Sequence, residues 1–154
     1  MQIGGNPEEL QALARRLHGW SGEVGATGDR IRAGAGVQWV STSADRFRAR
    51  LAEHASAVEA ARDELSRAAD LLVTLADELA ERQAAIRRAA ALVEGAVDEA
   101  GRSLRRLWGV AQDELSEVER ATSEGAQRVL AAVGDGLPLP GAPDWLALRR
   151  KLEG

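Results

Sequence analysis

Apolar residues recur at helical intervals along most of this chain of 154 residues. In the longest series, which we call the heptad seam, every seventh residue is apolar: Ala44, Leu51, Val58, Leu65, Leu72, Leu79, Ile86 and Val93. Such a repeat is typical of a helix that packs along its length against other helices. The adjoining positions hold Phe47 and several alanines, so the seam has large residues on one side and small ones on the other. This asymmetry favours close antiparallel packing.

A first helix is predicted from Pro7 to about Arg32. Asn6 is a suitable N-cap residue, and Pro7 fits the first helical position. The apolar face of this helix carries Leu10, Leu13, Leu17, Trp20, Val24 and Ile31. Four glycines recur at three-residue intervals, at Gly19, Gly22, Gly25 and Gly28. Together they cost about 3–4 kcal/mol relative to alanine. Either the helix breaks at these glycines, or close packing against a neighbouring helix keeps it intact. We expect a continuous helix that depends on such packing.

A segment rich in glycine and small polar residues, from Ala33 to Ser43, separates the first helix from the second. Beyond Val93 the apolar pattern continues to Val133, interrupted by single glycines. Either one very long helix runs past Gly101, or the helix bends between Glu94 and Gly101 and a third helix folds back. The first helix, about 40 Å long, is too short to cover the whole seam. We therefore favour the folded-back helix, with a partner chain as the other way to bury the seam.

The C-terminal segment has a different composition. Three prolines between Gly134 and Asp144 predict extended backbone, partly of the polyproline type. A short amphipathic helix is predicted after it, with one apolar face formed by Trp145, Leu148 and Leu152. We favour docking of this tail on its own bundle. A docking motif for another protein and a disordered tail are the alternatives.

These patterns predict an all-α fold: an antiparallel helical hairpin extended by a third long helix, then a Pro-rich tail with a short terminal helix. We expect the hairpin within residues 1–90, the helical extension within 91–133, and the linker with its amphipathic tail within 134–154. Only 3% of the residues are aromatic, and roughly thirty are alanine. Such a composition suits closely packed helices better than a thick globular core.

Composition and charge argue against several classes of protein. The chain has no cysteine, which leaves no disulfide framework and no thiolate metal site. A net charge of -4 is unlike the basic surplus of nucleic-acid-binding proteins. The longest purely apolar runs, Ala89 to Val93 and Val129 to Val133, are far shorter than the ~20 residues that span a bilayer. The N-terminus lacks the basic and apolar regions of a Sec signal peptide, so we expect none.

The sequence offers little for catalysis. His18 and His54 are the only histidines, and both fall inside helical patterns without a serine motif around them. The carboxylates lie at helical positions beside arginines, as on solvated helix faces, and no phosphate-binding glycine loop is present. We therefore predict no catalytic residue, no cofactor and no metal ligand, and a protein that is not an enzyme.

The turn between the two predicted helices carries a recognisable motif. It contains Trp39-Val40-Ser41, and the second helix begins Ser43-Ala44-Asp45-Arg46-Phe47. With the N-terminal Gly5-Asn6-Pro7, this layout resembles the WxG helical-hairpin proteins of actinobacterial type VII secretion systems over about residues 1–90. Ser41 stands at the usual glycine position of that family. The chain has no tyrosine and so lacks the Tyr-x-x-x-Asp/Glu element associated with export.

The resemblance implies a protein without enzymatic activity that acts through helix–helix packing. Such hairpins pair as homodimers or heterodimers into an antiparallel four-helix bundle, with each other or with the N-terminal region of a larger secreted protein. The implied location is the cytoplasm before export by a non-Sec, type VII route. No nucleic acid and no membrane span are expected. A cytosolic chaperone or targeting adaptor for a secreted toxin is an alternative, and a coiled-coil scaffold unrelated to secretion is another.

We expect the hairpin to be held together by its two apolar faces, with Trp39 sealing the turn. In this prediction Leu10, Leu13, Leu17 and Trp20 pack against Leu51, Val58 and Leu65. The later part of the seam, from Leu72 onward, recruits a partner.

Overall fold

The computed structural model describes residues 5–36, 38, 40–108, 115–134 and 136–153. Within these ranges it has four helices and no strand: α1 Pro7–Gly34, α2 Thr42–Leu107, α3 Glu117–Val133 and α4 Asp144–Glu153. The predicted all-α class is confirmed. The chain divides into two compact units, Gly5–Leu79 and Ala80–Gly154, which are described separately. Trp39, the centre of the WxG-like turn, lies outside the described residues.

The start of α1 follows from the residues that cap it. The Asn6 Oδ1 accepts a hydrogen bond of 3.0 Å from the Glu8 amide, and the Asn6 Nδ2 donates one of 3.2 Å to Glu9. Pro7 occupies the first turn, where its missing N–H leaves no helical bond unmade. The bond from the Glu8 amide satisfies one of the backbone donors that a helix N-terminus leaves free.

The helix α1 continues through all four of its glycines, as expected. Two of them face α2 at short range. A Cβ placed on Gly28 lies 3.3 Å from Val58 Cγ1, and one placed on Gly25 lies 3.1 Å from Arg62 Cδ. A Cβ on Gly19 or Gly22 meets no atom within 4 Å. Close packing against α2 therefore explains two of the glycines and leaves the other two unexplained.

The helix α2 begins after a serine cap and runs antiparallel to α1 in the unit Gly5–Leu79. The Ser41 Oγ accepts a hydrogen bond of 3.1 Å from the Ala44 amide, and Ala44 is buried. The two helices pack antiparallel, because Gln11 contacts Asp77 at one end and a Cβ on Gly34 lies 3.8 Å from Leu51 at the other.

This register corrects the predicted packing partners of α1. Gln11 lies against Asp77, and His18 lies against Asp70. Leu10, Leu13 and Leu17 are therefore level with residues 70–79 of α2. Their predicted neighbours, Leu51, Val58 and Leu65, are level with the C-terminal half of α1 instead. The cause is the short connection between the helices, which places the end of α1 beside the start of α2. As a result α1 covers α2 as far as Leu79, which lies 3.3 Å from a Cβ on Gly5.

The predicted bend between Glu94 and Gly101 is wrong, because α2 continues to Leu107. Val93, Ala100 and Ser103 are buried along this stretch. Glu99 accepts hydrogen bonds from Arg102 at 2.9 Å and from Arg106 at 3.1 Å, which links successive turns. These interactions offset the roughly 1 kcal/mol that each interior glycine costs.

The unit Ala80–Gly154 combines the end of α2 with two further helices. The helix α3 starts at a capping box, in which Ser116 and Glu119 each bond the backbone N–H of the other. The helix α4 follows the proline-containing segment and packs on α2. Its Trp145 is 2% exposed and lies in a core cluster with Ile86, Ala89 and Val93. The last part of the seam is therefore covered by the tail of the chain.

Candidate interaction surface

One edge of the α1–α2 hairpin is closed by polar contacts. Gln11 Nε2 lies 3.5 Å from Asp77 Oδ1, and His18 Nε2 lies 3.4 Å from Asp70 Oδ1. Arg32 forms an ion pair with Glu59 further along the same edge. Gln11, His18 and Arg32 are spaced by multiples of seven residues, so they lie in one row along α1. We call this side of the hairpin the polar edge.

The centre of the hairpin is lined by small residues. Ala14, Ser21 and Gly28 are the buried residues of α1, again at seven-residue intervals. They face α2, whose Ala55, Ala69 and Ala76 are also buried. The Ser21 hydroxyl donates a hydrogen bond of 3.1 Å to the carbonyl of Arg62. Small side chains on both helices let the backbones approach closely, as the asymmetric seam suggested.

The edge opposite the polar row exposes large apolar side chains. Trp20 is 50% exposed on α1, and on α2 Leu71 is 70% and Leu75 50% exposed. Leu71 and Leu75 follow Ala57 and Ala61 at intervals of two heptads, so all four lie on one side of α2. We call this side the apolar edge and define it by Trp20, Val24, Ala57, Val58, Ala61, Leu71 and Leu75.

A groove of about 540 Å³ opens on the apolar edge. Its walls come from both helices, with Val24 on α1 and Val58 on α2, and the two alanines of the edge line it as well. Glu23, Thr27 and His54 complete the lining. The groove is wide open, and its shape suits a large apolar side chain presented by a neighbouring helix rather than an enclosed small molecule.

The predicted seam residues have different environments in the structure. Ile86 and Val93 are buried, and Phe47 is 46% exposed. The remaining α2 members and three residues of α1 are half-buried: Leu51, Val58, Leu65, Leu72, Leu79, Leu10, Leu13 and Leu17. In the WxG-like turn, Val40 is exposed and Ser41 is half-buried. Leu71 and Leu75 were missed, because neither belongs to the seven-residue series; Leu71 precedes Leu72, and Leu75 precedes Ala76.

The predicted tail residues lie together on the α4 face that contacts α2. Leu148 and Leu152 pack against the cluster around Trp145. The Trp145 Nε1 donates a hydrogen bond of 2.9 Å to the Leu139 carbonyl, so the only polar atom of the buried ring has a partner. Lys151 Nζ donates one of 2.9 Å to the carbonyl of Ala132 at the end of α3.

No group of three or more potential metal-ligating side chains is found among the residues that the structure describes. No helix in the same ranges is long and apolar enough to cross a membrane. No family model, no curated protein and no solved structure matches this chain.

Proposed function

We propose that this chain is a non-enzymatic helical interaction protein whose apolar edge binds a partner helix. The observation that carries the proposal is the contrast between the two edges of the hairpin. Polar contacts join α1 to α2 along the polar edge, while Trp20, Leu71 and Leu75 are exposed on the other. Large exposed apolar side chains that gather on one side of a hairpin mark a protein interaction site more often than a solvated face does.

The energetics favour a partner at this edge. Full burial of a leucine side chain stabilises by about 1.5–3 kcal/mol, and Leu71 and Leu75 retain half or more of their exposure. Tryptophan is enriched among the residues that dominate binding energy at interfaces, and Trp20 stands on the same edge. The alanines of the groove leave room for a large side chain from the partner.

The type of partner is inferred from the resemblance to WxG proteins. We infer a second helical hairpin, contributed by another small protein of this kind, by the N-terminal region of a larger secreted protein or by a second copy of the chain. The protein then acts as a substrate or co-secreted partner of a type VII secretion system. It resides in the cytoplasm before export by a non-Sec route.

The chaperone or adaptor alternative is based on two features, the missing tyrosine element and the basic tail at Trp145. That tail packs on α2 of its own chain, which weakens the second feature and does not affect the first. The scaffold alternative differs from the leading proposal in its partner, since a scaffold of this kind associates only with itself.

The proposal is tested with two matched arginine substitutions on α2. Ala61→Arg places a charge in the groove, and Ala52→Arg places one at an exposed position on the side of Glu59, which belongs to the polar edge. Tagged chains are recovered from the native host, bound proteins are identified, and complexes are sized by light scattering. We expect a stoichiometric helical partner with the unmodified chain and with Ala52→Arg, and its loss with Ala61→Arg.

Equal recovery of the partner by all three chains would refute the role of the apolar edge. A pure homodimer that survives Ala52→Arg but not Ala61→Arg supports the edge, and export then distinguishes a self-paired secretion substrate from a scaffold. Export is assayed separately, by comparing culture supernatants of the host with those of a strain that lacks the secretion system.

A further inference from the structure

The tail helix α4 occupies a groove that is built for an amphipathic helix. Trp145 is the largest fully buried side chain among the described residues, and it lies against Ile86, Ala89 and Val93 of α2. Leu148 and Leu152 follow Trp145 at helical intervals of three and four residues and pack on the same cluster. Together they form the pattern of anchors with which a helix binds a hydrophobic groove. We call the α2 surface around Val93 the tail groove.

The attachment of α4 to the chain is compatible with its release. The helix has 10 residues, and isolated helices shorter than about 12–15 residues are marginal in water. Its helical state therefore depends on the tail groove. The segment before it exposes Leu137 and Leu139. Terminal elements commonly open locally at a lower free energy than that of global unfolding.

We propose that the tail groove is a helix-binding site that is also filled in trans, and that its occupant is then the α4 segment of a second copy of this chain. The contacts seen within one chain define the chemistry of this ligand: a tryptophan followed by leucines three and seven residues later. The same segment from another copy makes the same contacts. Exchange of an identical element between protomers is a low-cost route to dimers.

Concentration decides which copy supplies the helix. A short flexible linker holds its ligand at an effective concentration of about millimolar. At micromolar concentrations the tethered α4 therefore excludes the α4 of another chain. Exchange becomes significant when two chains are held side by side, or when the α4 of one chain is weakened. The tethered helix thus acts as a latch over the tail groove. This inference requires no binding at the apolar edge.

The test uses the full chain with a helix-breaking substitution in α4. Ala147→Pro disrupts the exposed middle of α4 and leaves every tail-groove residue of α2 unchanged. Ala147→Ser is the matched control. The probe is a labelled peptide with the sequence of residues 139–153, followed by fluorescence anisotropy. A latch that is open for about 0.1–10% of the time weakens apparent peptide affinity by about 10- to 1000-fold. We expect Ala147→Pro to bind the peptide at least about tenfold more tightly than the unmodified chain and Ala147→Ser do.

A peptide in which Trp145 is replaced by alanine should lose this binding. Equal peptide affinity for all three chains, or no binding to a folded Ala147→Pro chain, would overturn the proposal. If Ala147→Pro also lowers the helicity of α2, hydrogen exchange on the unmodified chain tests the latch in its place. Amides of α4 that exchange faster than those of residues 86–97 support the latch. Amides of α4 that exchange only together with residues 86–97 contradict it.

Discussion

At the scale of single residues, the hairpin is organised by its small side chains. Ala69 and Ala76 are 0% exposed, while the seam leucines beside them are half-buried. The heptad pattern predicts that both the alanines and the leucines face a neighbouring helix. It does not indicate which of them lie at the centre of the α1–α2 interface. The depth of burial depends on how closely the helices approach. That distance is set by Ala14, Ser21 and Gly28 on the opposing helix, which have no signature in the α2 sequence.

Two glycines of α1 provide a matched test of this close approach. A Cβ at position 22 meets no atom within 4 Å, while a Cβ at position 28 already lies 3.3 Å from Val58 Cγ1, so a leucine there must displace Val58. We expect Gly22→Leu to stabilise the chain by about 1 kcal/mol, the difference in helix propensity. We expect Gly28→Leu to destabilise it by about 1–3 kcal/mol through overpacking. Urea unfolding followed by circular dichroism measures both, and similar stabilities for the two variants would contradict the α1–α2 register.

Trp145 provides a test of tail docking at the residue scale. Trp145→Ala removes the ring from the tail groove, and we expect a loss of about 3–5 kcal/mol in the unfolding free energy of the unit Ala80–Gly154. Trp145→Phe keeps an apolar ring but loses the hydrogen bond to Leu139, worth about 1 kcal/mol. A loss below about 1 kcal/mol for Trp145→Ala, as is usual for surface substitutions, would mean that α4 is not docked in solution.

At the scale of elements, most helices were predictable and one boundary was not. The Asn6-Pro7 cap places the start of α1, and the heptad seam identifies α2. The break before α3 was missed, because neither proline nor a cluster of turn residues marks it. Its signal is the Ser-x-x-Glu spacing of Ser116 and Glu119, which forms a capping box. The glycines near residue 100 were a misleading cue, since side-chain burial and ion pairs outweigh their cost.

The capping box makes the start of α3 sensitive to acid. Hydrogen bonds from the Ser116 side chain and backbone to the Glu119 carboxylate lower its pKa. A carboxylate with a lowered pKa in the folded state contributes stability at neutral pH, and this contribution is lost as the pH falls through that pKa. We expect amide protection in the first turn of α3 to fall as the pH is lowered below about 4. Hydrogen exchange of the α3 amides measures this.

Glu119→Gln keeps a side chain that can accept a hydrogen bond but cannot titrate. Its α3 amides should lack the acid-dependent step that the unmodified chain shows. Ser116→Ala should destabilise α3 at every pH, by about 1 kcal/mol for the loss of the cap. If Glu119→Gln retained the same acid-dependent loss of protection, other carboxylates would be responsible for it.

At the scale of the whole molecule, each unit has its own apolar surface, and we propose that each of them binds a helix. In the unit Gly5–Leu79 this surface is the apolar edge, which stands exposed. In the unit Ala80–Gly154 it is the tail groove, which α4 fills. The sequence pattern predicts that α2 needs more cover than α1 provides. It does not predict which part of α2 is covered by α1 and which by α4. This depends on the register of α1 and on where the chain meets α2 again after the proline-containing segment.

The candidate site was only partly predictable for the same reason. Trp20 was placed on the packing face of α1 by its spacing, whereas in the folded hairpin half of its surface is exposed. Leu71 and Leu75 are conspicuous only when the burial of each α2 face is known. A helical pattern shows which residues share a face, but the position of the neighbouring helix determines which side of that face remains open.

The most direct test of the central claim is photo-crosslinking from single positions on the two edges. A photoreactive amino acid is introduced at Leu71, on the apolar edge, or at Ala52, on the side of Glu59. Cells of the native host are irradiated, and covalent products are identified by mass spectrometry. We predict a discrete adduct with a helical partner protein from position 71 and none from position 52. An adduct from position 52 alone, or equal adducts from both positions, would contradict the assignment of the apolar edge as the interaction surface.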